Sequence, residues 1–112
     1  MNTKYNQTIS DKLTADYINI LINKVFALLP MFEESTESDE KNNLFKIYQR
    51  NLLQTINGNI NFIKYDNVLI LEILSHLEAL VNTAEHDDYK RHVLKICKLL
   101  TLVRKEVENN GV

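Results

Sequence analysis

The chain of 112 residues is long enough for one domain with a hydrophobic core. Its composition, 45% hydrophobic and 25% charged, excludes a disordered chain. Two glycines and one proline argue against an all-β fold with its many turns, and a net charge of -2 excludes a general attraction to nucleic acid or acidic membranes. We therefore expect residues 1–112 to form a single helical domain.

The first predicted helix spans residues 10–29, after a polar segment, 1–8, that we expect to be frayed. Its apolar residues recur at three- and four-residue steps and form a face wide enough for a helix bundle. Pro30 is predicted to end the helix, because proline disfavours the helical conformation in the residue before it. The main stripe consists of Leu13, Tyr17, Leu21, Val25 and Leu28, and Ile18, Ile22, Phe26 and Leu29 lie beside it.

An acidic segment follows, in which residues 33–40 read EESTESDE and every charge is negative. We predict that 31–39 is a solvated connecting loop, with Ser38 or Asp39 capping the next helix. The alternative is that the segment attracts a basic partner. Five carboxylates are too few for a nucleic-acid mimic.

The second predicted helix spans 40–56, and Asn57-Gly58 should end it because glycine readily takes the left-handed conformation after a helix. Segment 59–65 alternates apolar and polar residues, so both an extended strand and a loop are open. We favour a loop with Phe62 and Ile63 in the core. The inward stripe is predicted to be Leu44 or Phe45, Tyr48, Leu52 and Ile56, with Ile47 and Leu53 beside it.

The densest apolar run, VLILEILSHLEALV from Val68 to Val81, lies in a third predicted helix at 67–82. Because apolar residues cover most of its circumference, we expect a buried helix at the centre of the domain. The run is too short and too charged for a membrane span. Its main face is predicted to be Val68, Leu71, Leu74 or Ile73, Leu77 and Val81.

The last predicted helix spans 87–108, before a frayed end at 109–112. Its apolar residues follow a heptad pattern, and the flanking residues Cys97, Leu99 and Leu102 offer more apolar surface than one neighbouring helix needs. This apolar seam consists of Val93, Ile96, Leu100, Val103 and Val107, with Tyr89 four residues before it. The four predicted helices indicate an all-α fold, an antiparallel bundle.

Residues with chemical potential are few. Glu72 and His76 share one helix face and could form an acid–base or metal pair, but the sequence offers no further ligands at a suitable spacing. We expect an ordinary surface contact between them. Cys97 should act as a small apolar side chain, because nothing near it in the sequence would activate a thiol. We predict no catalytic residue, no cofactor and no metal site.

The last helix carries a basic stripe, opposite the apolar seam, that could follow a phosphate backbone. The stripe consists of Lys90, Arg91, Lys95, Lys98 and Lys105, with Arg104 at its side. Such residues also occur on any solvated helix, and no aromatic residues lie between them. We hold the stripe as the candidate partner-binding surface.

The interpretation we favour is a small non-enzymatic cytosolic binding protein that acts through protein–protein contact, as a regulator, adaptor or inhibitor. A second copy of the chain is one candidate partner, because the first and last helices carry surplus apolar surface. The alternative is a nucleic-acid-binding protein that uses the basic stripe. No membrane and no small-molecule substrate is indicated. The excess of Asn, Lys and Ile suggests a low-GC bacterium, phage or mobile element.

Overall fold

A computed structural model describes the backbone of residues 4–60 and 67–110, and the side chains of 12–59 and 68–108. Nearly all of the described backbone is helical, which confirms the all-α prediction. The helices are α1 (Lys4–Phe26), α2 (Leu28–Glu34), α3 (Asp39–Ile60), α4 (Asn67–Val81) and α5 (His86–Asn110). The predicted ends of the last two helices agree with these bounds to within two residues.

The prediction that Pro30 ends the first helix is wrong. α1 ends at Phe26, and Pro30 is the third residue of α2. Proline cannot donate a hydrogen bond to the carbonyl four residues before it, so the helix breaks upstream. In the first turn of α2, no amide hydrogen is needed, and proline is tolerated.

The predicted acidic loop at 31–39 is helical at both ends. Its first part belongs to α2, which continues to Glu34, and only residues 35–38 lie outside the helices. The side chain of Ser35 donates a hydrogen bond of 2.6 Å to the carbonyl of Phe32 and so helps to end α2. Ser38 caps α3, as predicted, because its Oγ accepts a 3.1 Å bond from the backbone amide of Lys41.

The predicted helix stop at Asn57-Gly58 is also wrong. α3 continues to Ile60, and Gly58 does not have a positive φ. Glycine permits the left-handed conformation without requiring it. Leu52 and Ile56 are buried and hold this part of α3 on the core. Of the segment 59–65, the last five residues lie outside the described chain, and with them the placement of Phe62 and Ile63.

The central helix is α5, not the Val68–Val81 run. α5 packs most extensively against α1 and α4 and also touches α2. Every residue of the predicted apolar seam is fully buried. Cys97 and Leu99 beside the seam are also buried, with Cys97 against α1, whereas Leu102 is 38% exposed.

The buried face of α4 differs from the predicted one. Ile73 and Leu77 are buried as predicted, but Val68, Leu71 and Val81 are 64%, 65% and 59% exposed, and Ile70 and Leu80 enter the core instead. The run is apolar on more than one side, so its periodicity could not select the face that meets α5. This helix is therefore half-covered rather than enclosed.

The predicted stripes of the first two helices are mostly confirmed, since Leu21, Val25 and Leu28 of the first and Leu52 and Ile56 of the second are buried. In α1, Leu13 is 61% exposed and Phe26 43% exposed, although both were placed on the apolar face. In α3, Phe45 is buried and Leu44 is 56% exposed, which decides between the two alternatives. The core residues are Ala15, Ile18, Leu21, Val25 and Leu28 from α1 and α2, and Phe45, Leu52 and Ile56 from α3.

One stretch of the described chain, Lys12–Glu34, is long and apolar enough to cross a membrane by length and composition. The core helix of a soluble protein passes the same test, so this is weak evidence for a span.

Candidate functional site

A cluster of aromatic rings joins α2, α3 and α5. The ring of Phe32 stacks on Tyr89, with 4.2 Å between the ring centres, and its edge meets Phe45 at 5.7 Å. Tyr89 is 1% exposed, and its hydroxyl donates a hydrogen bond to the side-chain oxygen of Gln49, which is itself buried. Burial raises the pKa of Tyr89, so the ring stays neutral and donates this bond. The cluster fixes α2 and α3 against the central helix.

A groove lies between α3 and α4 and ends at this aromatic cluster. We call it the α3–α4 groove. It consists of two adjoining hollows, of about 680 Å³ and 430 Å³, that share Leu53 and Gln54. The larger is lined by Phe32, Ser35, Thr36, Asn42, Phe45, Lys46, Gln49, Arg50, Leu53, Gln54, Leu80, Val81, Thr83, Ala84 and Tyr89. The smaller is lined by Leu53, Gln54, Asn57, Leu74, Leu77 and Glu78.

Helical spacing explains the groove's α3 wall. Lys46, Arg50, Gln54 and Asn57 lie three or four residues apart and so share one face of the helix, beside the face buried in the core. These long polar side chains cannot fill a core, so α3 and α4 touch only sparsely at this wall. The polar character of this wall therefore follows from the α3 sequence.

The two walls differ in chemistry. The α4 wall is mainly apolar, with Leu74 and Val81 partly exposed, and it carries one carboxylate, Glu78, in the smaller hollow. Lys46 and Arg50 make the α3 wall cationic. No carboxylate lines the larger hollow within the described residues. In that part of the chain, neither Lys46 nor Arg50 has an ion-pair partner.

A histidine pair lies on the opposite side of α4. Nδ1 of His76 and Nδ1 of His92 are 2.9 Å apart, so one ring donates a hydrogen bond and the other accepts it. Burial lowers the pKa of His76, the charges of His92 and Lys95 lower it further, and Glu72 partly opposes them. The described residues contain no group of three or more His, Cys, Asp or Glu side chains placed to hold a metal ion.

The predicted pairing of Glu72 with His76 missed this contact with α5. The available signal was positional: His76 and His92 are equally far from Ala84, which lies in the short connection between the two helices. A helical hairpin that turns at this connection brings them side by side.

Cys97 is buried where α5 meets α1, and its Sγ lies 3.8 Å from the carbonyl oxygen of Ile22. Burial raises the pKa of the thiol to about 12, so it is protonated at neutral pH. Cys97 packs as a small apolar side chain.

The basic stripe of α5 is a mixed surface. Lys90, Arg91, Lys98 and Lys105 are exposed, whereas Lys95 is half-buried beside the histidine pair. Arg91 pairs with Asp88 at 3.1 Å, and the partly exposed Leu94 and Leu102 lie between the lysines. The stripe is separate from the α3–α4 groove, which sequence reasoning did not find.

Comparisons with models of protein families, with curated proteins and with solved structures find no match to this chain.

Proposed function

We propose that this protein is a small non-enzymatic binding protein that acts by protein–protein contact, with the α3–α4 groove as its contact surface. The observation that carries the proposal is the groove's uncovered apolar surface. Val81 is 59% exposed, and Leu53 and Leu74 are half-exposed beside it. Apolar surface left open to water beside polar residues is typical of interaction sites.

The groove has the dimensions of a peptide-binding site. Its lining follows α3 from Asn42 to Asn57, a length of about 22 Å at the helical rise. A site for a small molecule would enclose most of its ligand. This long groove is open on one side, which suits a segment of another protein.

We also propose that the helices form an antiparallel bundle. Two contacts between α1 and α3 support it. The hydroxyl of Tyr48 donates to the carbonyl of Lys24 at 3.1 Å, and the amide of Asn59 donates to the hydroxyl of Tyr17 at 2.7 Å. The later residue of α3 thus meets the earlier residue of α1. We place this bundle in the cytosol, where the buried Cys97 would remain reduced.

A pair of matched variants tests the proposed contact surface. Leu53→Gln/Val81→Gln adds polar groups inside the groove, and Leu71→Gln/Val68→Gln makes the same changes at exposed positions outside its lining. We expect affinity capture from the host to recover one protein at equal yield with the wild type and the control, and to lose it with the groove variant. Equal recovery with both variants would exclude the groove as the contact surface. Sedimentation of each variant measures self-association in parallel.

The second candidate function is nucleic-acid binding by the basic stripe. Lys98 and Lys105 favour it, because both are exposed and neither forms an ion pair within the described residues. Binding of duplex or single-stranded DNA should then weaken steeply with salt. Lys98→Gln/Lys105→Gln should reduce the slope of log affinity against log salt concentration by about two, because two phosphate contacts are lost. A titration without salt-sensitive binding would exclude this function.

A further inference from the structure

We infer that the α3–α4 groove receives an amphipathic helix of a partner protein, with its apolar side against α4 and acidic side chains against Lys46 and Arg50. The inference rests on the proposed function and specifies the chemistry of the partner. It follows from the different walls of the groove. A helix with two unlike faces is the peptide element that matches one apolar wall and one cationic wall.

The cationic wall is available for such a partner. Lys46 and Arg50 are exposed and lie four residues apart on α3, so carboxylates one helical turn apart on the partner can reach both. Two acidic residues near this end of the groove already have other partners. Glu37 lies 2.6 Å from Lys41, and Glu33 lies 3.1 Å from His86. Within the described residues, the two cations are left without a carboxylate in a protein whose net charge is negative.

The apolar wall determines which side chains the partner helix needs on its other face. Val81 from α4 and Leu53 from α3 expose apolar surface in the larger hollow, and Leu74 continues this surface into the smaller hollow. Leu77 and Leu80 also line the hollows but are buried in the core. The two hollows join end to end along α3. An apolar stripe with residues at i, i+3, i+4 and i+7 would follow this line.

Three synthetic peptides of about 15 residues test the inference. All three carry the same stripe of leucines. They differ only beside the stripe, where pairs of positions four residues apart are glutamate in the first peptide, glutamine in the second and lysine in the third. Fluorescence anisotropy measures their binding to the whole protein. We expect the glutamate peptide to bind about tenfold more tightly than the lysine peptide, with the glutamine peptide between them. The difference should shrink as salt is raised from about 0.05 M to 0.5 M.

A charge reversal locates the effect. Lys46→Glu/Arg50→Glu should invert the order of the three peptides. Lys98→Glu/Lys105→Glu changes the net charge equally on α5, outside the groove, and should leave the order unchanged. All four positions are exposed, so both variants should fold. Inversion by both variants, or by neither, would overturn the inference.

The remaining outcomes separate this inference from the proposed function. If the three peptides bind equally and Leu53→Gln/Val81→Gln abolishes binding, the groove is a protein-binding site without charge preference, and only the inference fails. If no peptide binds, but the wild type sediments as a dimer that Lys46→Glu/Arg50→Glu dissociates, a second copy is the occupant. If dodecanoate binds and the peptides do not, the occupant is a small amphiphile, and both proposals fail.

Discussion

His76 and His92 lie where α4 meets α5, and their Nδ1 atoms are 2.9 Å apart. A hydrogen bond between two imidazoles needs at least one neutral ring, because a ring that accepts the bond must lack a proton at that nitrogen. Burial and the positive charges of His92 and Lys95 disfavour a proton on His76, and only Glu72 acts in the other direction. Folding therefore favours the neutral form of His76.

We predict that acid weakens the fold through this pair. An unfolded histidine titrates at about pH 6.5, and the folded His76 has a lower pKa, so the unfolded state binds more protons below that value. The contribution to stability is complete above about pH 6.5 and decreases as the pH falls towards the folded pKa. Urea unfolding of the wild type and His76→Asn across this range measures it.

The asparagine variant should lose stability less steeply as the pH falls, because an amide does not titrate. His86→Gln serves as the control, because His86 is exposed and lies outside the pair. The same pH dependence in the wild type and His76→Asn would show that the pair does not respond to protons.

At the scale of the helix, the end of α3 gives a second prediction. Gly58 lies inside α3 without a positive φ, and an added Cβ would meet no atom within 4 Å. Gly58→Ala should therefore stabilise the protein by about 0.5–1 kcal/mol, because alanine loses less conformational freedom in a helix. The midpoint of urea unfolding should rise with an unchanged slope.

Gly58→Val tests whether helix propensity causes the gain, because a β-branched residue stabilises a helix less than alanine does. The variant should lie between the wild type and Gly58→Ala. A loss of stability in Gly58→Ala would instead show a left-handed glycine that ends α3 near Asn57, as the sequence suggested.

The helices were largely predictable from periodicity, whereas the C-terminal ends of the first two predicted helices were not. Pro30 and Gly58 are strong local signals, and the sequence prediction wrongly took each of them as the end of a helix. Proline fits the first turn of a new helix as well as the end of an old one, and glycine fits a helix interior when neighbouring residues are buried. Such residues limit the local options, but packing selects among them.

For the whole molecule, the central position of α5 can be tested against that of α4. Leu100 is fully buried in α5, so Leu100→Ala should cost about 2–5 kcal/mol. Leu71 is 65% exposed in α4, and Leu71→Ala should change the free energy of unfolding by no more than about 0.5 kcal/mol. Denaturant unfolding measures both. A large loss in Leu71→Ala would restore the Val68–Val81 run as the centre of the core.

The α3–α4 groove could not be predicted from the sequence, because it depends on how two helices lie next to each other. Lys46 and Arg50 appear in the sequence as ordinary exposed residues of a helix, and Val81 as a core residue. They face one groove only because the fold sets α3 beside α4 with sparse contact between the two helices. No spacing within one helix reports the distance between two helices.

By itself, the sequence determined that the protein is all-α and which side of α5 is buried, because this helix has one apolar seam between charged residues. The tertiary structure decided which side of α4 is buried, since that helix is apolar on more than one side and any of them could meet a neighbour. It also decided that an open groove lies beside α4. Periodicity selects a face only where polar residues exclude the alternatives, and elsewhere the neighbouring helices make the choice.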